Sequence, residues 1–109
     1  GLLKTLHTLD LSGCDLSNGK LSYLDQLSEL HNLRLARTVG ICAEDLAALG
    51  HLNKLSCINL KNCLEIDDKC LAVLSTYFAL KYLDLSGCMG ISSSGILCAC
   101  APETSVFAA

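Results

Sequence analysis

Tryptophan is absent from this 109-residue chain, aromatic residues make up only 5% of it, and proline occurs once. Whatever core forms must therefore be aliphatic. No apolar run approaches the ~18 residues that a membrane-spanning helix requires, and no signal-peptide pattern opens the chain. Asn-x-Ser/Thr, the N-glycosylation acceptor, does not occur. Charged residues are only 17%, and the formal net charge is −3. A nucleic-acid binder would carry a basic footprint instead, so that class is excluded as an expectation. Cysteine is plentiful, yet no two cysteines stand in the paired C-x-x-C spacing of a zinc site.

What is present is a large aliphatic supply. Hydrophobic residues reach 51%, and 24 of the residues are leucine, about a fifth of the chain. Such a chain can bury a core, which rules out wholesale disorder. Eight cysteines stand at 14, 42, 57, 63, 70, 88, 98 and 100. In a small secreted domain an even count suggests disulfides, but those scaffolds are poor in core residues. The expectation here is reduced, mostly buried thiols in an intracellular compartment: cytoplasm, nucleus or mitochondrial matrix. The first residue is Gly rather than Met, which leaves room for a removed upstream segment.

The leucines are periodic. Leu6-His7-Thr8-Leu9-Asp10-Leu11-Ser12-Gly13-Cys14 recurs from Leu30, from Leu55 and from Leu80, at intervals of 24, 25 and 25 residues. The shared pattern is L-x-x-[LI]-x-L-x-x-[CT], ending on Cys14, Thr38, Cys63 and Cys88. Internal repetition at this period marks stacked repeat architectures. In each unit the fourth and sixth positions alternate with polar residues, which predicts a short strand with one buried face. An apolar residue follows (Leu16, Ile41, Ile66, Ile91), and then a stretch with helical spacing. The stripes are Leu21/Leu24/Leu27, Leu46/Leu49/Leu52, Cys70/Leu71/Leu74 and Ile96/Leu97/Cys100. Asp67 and Ser92 stand where N-caps belong, and Gly50 and Pro102 where helices should stop. The second helix should be the shortest.

These residues resemble a leucine-rich-repeat protein of the cysteine-containing class. Its pattern is best matched by Cys63-Leu64-Glu65-Ile66-Asp67-Asp68 and Cys88-Met89-Gly90-Ile91-Ser92-Ser93. The first two units depart from it, with Asp15-Leu16 after Cys14 and Thr38 in place of the cysteine. The resemblance implies an α/β fold: a right-handed solenoid of about four repeats starting near 6, 30, 55 and 80, parallel strands on the concave side and helices on the convex side. Residues 1–109 would form a single such domain. The ninth-position residues Cys14, Thr38, Cys63 and Cys88 should tuck inside where the chain leaves each strand.

In such a fold the outward strand residues line the usual binding face. The third-position column is Thr8, Asn32, Cys57 and Tyr82; the fifth is Asp10, Arg34, Asn59 and Asp84. The seventh is Ser12, Ala36, Lys61 and Ser86, with Arg37 and Asn62 just beyond. Asp10, Arg34, Arg37, Asn59, Lys61, Tyr82 and Asp84 are the candidate protein-binding residues. Tyr82 and Arg34 are the favoured hot-spot types. Asp10 and Arg34 should pair across adjacent strands. Cys57 should face outward, where an ordinary exposed thiol is the simpler reading. His7 and His31 share a repeat position and should be neighbours, but the column continues with Ser56 and Lys81, so a metal or pH-sensing pair lacks a third ligand. His51 has no evident partner. Cys98 and Cys100 fall on a predicted helix, where i and i+2 side chains diverge. The twice-occurring Leu-Ser-Gly-Cys is a tile, whereas a nucleophile needs one tuned site.

No acid–base or nucleophile constellation is evident, so no enzyme activity, cofactor or metal is expected. The resemblance implies a protein-binding scaffold: an adaptor, or an accessory subunit of a larger complex such as the coupling-factor-like subunit of mitochondrial ATP synthase. An alternative is the substrate-recognition part of an F-box ubiquitin-ligase adaptor, whose F-box would have to lie upstream. Another is a regulator of a GTPase-type enzyme, although those resemble a longer repeat. Neither end of the chain reads as a polar cap, and Ser105-Val106-Phe107 arrives where a fifth strand would start. The ends should therefore pack against more of the same protein or against other subunits.

Overall fold

A computed structural model of the chain describes residues 5–77, 79–99 and 104–108. Five three-residue strands form one sheet: β1 (Thr8–Asp10), β2 (Asn32–Arg34), β3 (Cys57–Asn59), β4 (Tyr82–Asp84) and β5 (Ser105–Phe107). Their order in the sheet is their order in the chain, and every neighbouring pair is parallel. Leu9, Leu33, Ile58, Leu83 and Val106 stand side by side in register, so equivalent residues of successive units fall in one column. The expected fifth strand is present.

Parallel strands need crossover connections, and here each one carries a helix. A 3₁₀ segment (Lys20–Gln26) follows β1, then α1 (Ala43–Ala48), α2 (Asp68–Leu74) and α3 (Ser93–Ala99) each follow a strand. The 3₁₀ segment packs on α1, α1 on α2, and α2 on α3. Between helices and sheet lies one aliphatic core that includes Leu33, Leu35, Ile58, Leu60, Leu83 and Leu85, all essentially inaccessible. Strand and helix stripes thus share one interior.

Local chemistry explains most of the boundaries. The Asp67 carboxylate accepts the Cys70 N–H at 3.1 Å and caps α2. Ser92 Oγ accepts the Gly95 N–H at 3.1 Å at the start of α3. Asp45, nearly buried, reaches back from α1 to the Cys42 N–H at 3.4 Å. α1 ends just before Gly50, and it is the shortest α-helix. The first predicted helix is 3₁₀ rather than α. Leu21, Leu24 and Leu27 are spaced by threes and share one face there, as side chains three apart do on a helix with three residues per turn. The same spacing at Leu46, Leu49 and Leu52, however, goes with α1. Gly19, in the left-handed region (φ +74°), opens that segment without a side-chain cap, and Ser22 Oγ bonds the Gly19 carbonyl. Pro102 and Cys100 lie outside the described residues, as do the side chains of Leu97 and Cys98.

After each of the first four strands the chain turns through a left-handed residue: Gly13 (φ +81°), Arg37 (φ +57°), Asn62 (φ +59°) and Gly87 (φ +77°). Two units use glycine there, one uses asparagine, which tolerates the conformation, and one uses arginine.

Candidate protein-binding face

The outward face of the sheet is built from two columns. Thr8, Asn32, Cys57, Tyr82 and Ser105 form one, and Asp10, Arg34, Asn59, Asp84 and Phe107 the other. Within the second column three candidates are already engaged. Asp10, Asn59 and Asp84 each accept a backbone N–H two residues on, from Ser12, Lys61 and Ser86, at 2.9 Å in every case. This is an Asx-type closure of the bend that follows the strand. The Ser12 N–H, more than the charges of Arg34 and Arg37, holds the Asp10 carboxyl below the usual carboxylate range. Arg34 cannot accept, and in its unit the Ala36 N–H donates to Ser12 Oγ of the neighbouring unit at 3.2 Å.

Two expectations change as a result. Asp10 and Arg34 do stand opposite each other in register, but they form no ion pair; the carboxylate is turned toward Ser12. Among the described residues the ion pair is Lys54–Glu29, at 2.8 Å. Ala36, expected to face outward, is buried, its N–H bonded to Ser12 Oγ and its carbonyl to the Gly13 N–H of the preceding unit. Arg34, Arg37, Lys61 and Tyr82 remain exposed and free of such duties. The Arg37 N–H donates to the Lys61 carbonyl at 2.8 Å, which sets these two cations on adjacent units.

A further row was not among the candidates. Val39, Leu64 and Met89 directly follow Thr38, Cys63 and Cys88, and they are 51%, 67% and 82% exposed. In the first unit the same place is held by Asp15, which bridges to Val39 in parallel fashion. Arg37, Thr38, Val39, Asn62, Leu64 and Glu65 line a shallow groove along this row. The signal was available: reading the tenth position down the repeats gives Asp, Val, Leu, Met. The row lies past the strand ends, outside the strand columns from which the candidates are read.

The ninth-position column is buried in three units of four. Thr38 Oγ1 and Cys63 Sγ both donate to the Leu35 carbonyl at 2.9 Å, and Cys88 Sγ donates to that of Leu60 at 3.0 Å. Each thiol thus bonds a carbonyl of the preceding unit. Cys14 differs from expectation: it is exposed, because it belongs to the first described unit and no earlier one covers it. Burial pushes the Cys70 thiol up to about 11 and raises that of Cys88 as well. Only the thiolate reacts appreciably, so access and acidity act together. Native labelling at mild alkaline pH should therefore modify the exposed Cys14 quickly and the equally exposed Cys42 more slowly, because the Glu44 and Asp45 carboxylates beside Cys42 raise its thiol above the ordinary range. Cys63, Cys70 and Cys88 should react only after denaturation, as peptide mapping by mass spectrometry would show.

The histidines are placed as follows. His7 and His31 are neighbours, ring centroids 5.0 Å apart and edge to face. His31 Nδ1 donates to the Glu29 carbonyl at 2.7 Å, which commits that nitrogen. No cluster of three metal-ligating side chains occurs among the described residues. His51, expected to stand alone, donates from Nε2 to the Asp25 carbonyl at 2.9 Å and ties two crossovers together. Cys57 is half-buried on the sheet face, between Asn32 and Tyr82. Among the described residues no helix is long and apolar enough to cross a membrane. No protein-family model matches the chain, and no curated protein is significantly similar to it.

Proposed function

We propose that this chain is a non-catalytic protein-interaction module of the leucine-rich-repeat type, a right-handed solenoid with concave strands and convex helices. It serves as an adaptor or accessory subunit of a larger complex in a reducing intracellular compartment. The observation that carries this reading is the unshifted register of five parallel strands, which lines equivalent side chains up in fixed columns. A surface held this way loses little side-chain or backbone freedom on docking, and rigid presentation favours affinity. The polar acceptors that could serve chemistry, Asp10, Asn59 and Asp84, hold bends instead. The buried thiols, bonded to carbonyls, suit a compartment that keeps cysteine reduced.

The test is affinity capture under reducing conditions, comparing the native chain with an Arg34→Ala/Tyr82→Ala variant. Both residues are exposed, so folding should be unaffected. Partners retained by the native chain should bind the variant at least about tenfold more weakly, the loss expected when hot-spot residues are truncated. Unchanged retention would remove the sheet face as the contact surface.

A further inference from the structure

The row past the strand ends combines three properties. It is apolar and exposed on three successive units, Val39, Leu64 and Met89. It is rigidly seated. The Val39 N–H donates to the Cys14 carbonyl at 3.2 Å, the Val39 carbonyl accepts from the Leu16 N–H at 2.8 Å, and the Gly40 N–H donates to Glu65 Oε1 at 2.6 Å. Gly90 lies so close to the preceding unit that a Cβ there would meet the Ile66 carbonyl oxygen at 2.8 Å. The groove along the row is also lined by two charged side chains, Arg37 and Glu65. Glu65 is already engaged by the Gly40 N–H, leaving Arg37 as its open charge; Lys61 and Arg34 are exposed elsewhere on the same two units. No carboxylate forms an ion pair with these three cations among the described residues.

Arg37 adds a separate observation. It occupies the left-handed position that two other units fill with glycine, and a residue that carries a Cβ is strained there. Strain of this kind that is retained at an exposed charge points to a use for the side chain. Glycine would fit the turn better, but it would remove the cation beside Val39 and Leu64.

From this combination we infer that the Val39–Leu64–Met89 row docks an amphipathic helix of a protein partner whose apolar stripe is bordered by carboxylates. The inference rests on the interaction-module reading and names its partner chemistry. Spacing selects the helix. Neighbouring parallel strands stand ~4.8 Å apart, so the row repeats at about that interval. A helix lying along the row offers one apolar residue per ~5.4 Å turn, a mismatch of roughly half an ångström. An extended segment repeats its same-face side chains every ~6.7 Å and drifts out of step within one unit. Charge sets the border: acidic residues on one flank of the stripe meet Arg37, with Lys61 exposed on the next unit, while Asp15 closes the row at its first unit.

Four fluorescent peptides of equal length and composition class serve as probes, with binding read by anisotropy. One is a helix with a leucine stripe flanked by glutamate, and the second has the same stripe flanked by lysine. The third scrambles the first, and the fourth breaks it with proline. The acidic helix should bind, more weakly as salt rises, and at least about tenfold more tightly than the lysine and proline versions. Leu64→Ser should abolish that binding. Arg37→Gly should weaken it severalfold while the thermal midpoint stays level or rises, a pairing that mere loss of structure would not produce. Circular dichroism of both variants controls for folding.

No binding of the acidic helix at millimolar concentration overturns the inference, as does equal binding of the lysine version. So does a concentration-dependent dimer abolished by Leu64→Ser, which would make the occupant a second copy. Anionic vesicles held as tightly as the peptide would make it a membrane surface and equally overturn it. If captured partners depend on Arg34 and Tyr82 but not on Leu64 and Arg37, the interaction module stands and this row is not its docking site.

Discussion

Gly40→Ala should destabilise the protein by about 3 kcal/mol, far more than an alanine usually costs in a loop. Gly40 sits at φ +87°, where an L-residue costs roughly 1–2 kcal/mol on conformational grounds alone. Its added Cβ would also collide with the backbone N and Cα of Ser17 and with the Ser17 side chain. Backbone cannot rotate away as a flexible side chain can, and overpacking of this kind adds about 1–3 kcal/mol. Gly40 further donates its N–H to Glu65, so any shift at this point loosens the link between the second and third units. Gly13→Ala is the control. It has a similar φ of +81° but nothing within 4 Å of its Cβ, so only the conformational part should appear, about 1 kcal/mol. Urea unfolding followed by circular dichroism compares the two. Equal losses would show that the close approach to Ser17 contributes nothing.

Leu60→Ala should cost a similar amount, about 3–4 kcal/mol, for a different reason. Leu60 is fully buried in the middle unit, and its N–H donates to the Asp84 carbonyl at 2.8 Å. Leu35 and Leu85 hold the same position on the units either side, and both are fully buried too. Truncation leaves a cavity enclosed on both sides by hydrogen-bonded neighbours, which cannot collapse into it. Leu11 is the equivalent residue of the first unit and is only partly buried. Water already reaches it, so Leu11→Ala should cost less than half as much. Matching losses at the two positions would mean that cover from both sides does not matter, and that the stacked-unit account of the core is wrong.

The contrast between Leu11 and Leu60 also shows how far a repeat pattern can be read. Pattern identity places both leucines inward, and both do point inward. Their burial differs because each unit is covered by its neighbours, and the first described unit has one on one side only. Cys14 and Cys63 differ for the same reason. They are identical in pattern, yet Cys63 has the Leu35 carbonyl to bond and Cys14 meets no such carbonyl among the described residues. A residue's column can be read from sequence, but its surroundings depend on which units stand beside it.

The candidate face was legible in part. Register placed Asp10 opposite Arg34 and Asn59 opposite Asp84, as the intervals predict. Whether a carboxylate reaches across the sheet or bends to its own backbone is a competition that pattern cannot decide. The local N–H wins for Asp10 because it is two residues away and already oriented, whereas an exposed ion pair must hold two long side chains still for little gain. The Val39–Leu64–Met89 row is not legible from periodicity, because it lies past the strand ends, where the alternation of buried and exposed positions no longer applies.

The amino-acid sequence alone determined the periodic layout: strand, bend, helix, at intervals of 24 or 25 residues, with the leucines that bury and the side chains that cap. These are local matters of spacing and hydrogen-bonding type, and they repeat because the pattern repeats. Only the tertiary structure decided which equivalent positions behave differently. It left Cys14 exposed, turned Asp10 from its ion pair, wound the first crossover as 3₁₀, put arginine in a glycine's conformation and left three aliphatics facing water. Burial and exposure follow from the unit next door, which supplies or withholds the carbonyl and the cover, whereas the Asp10 orientation follows from a three-dimensional competition between the Ser12 N–H and Arg34.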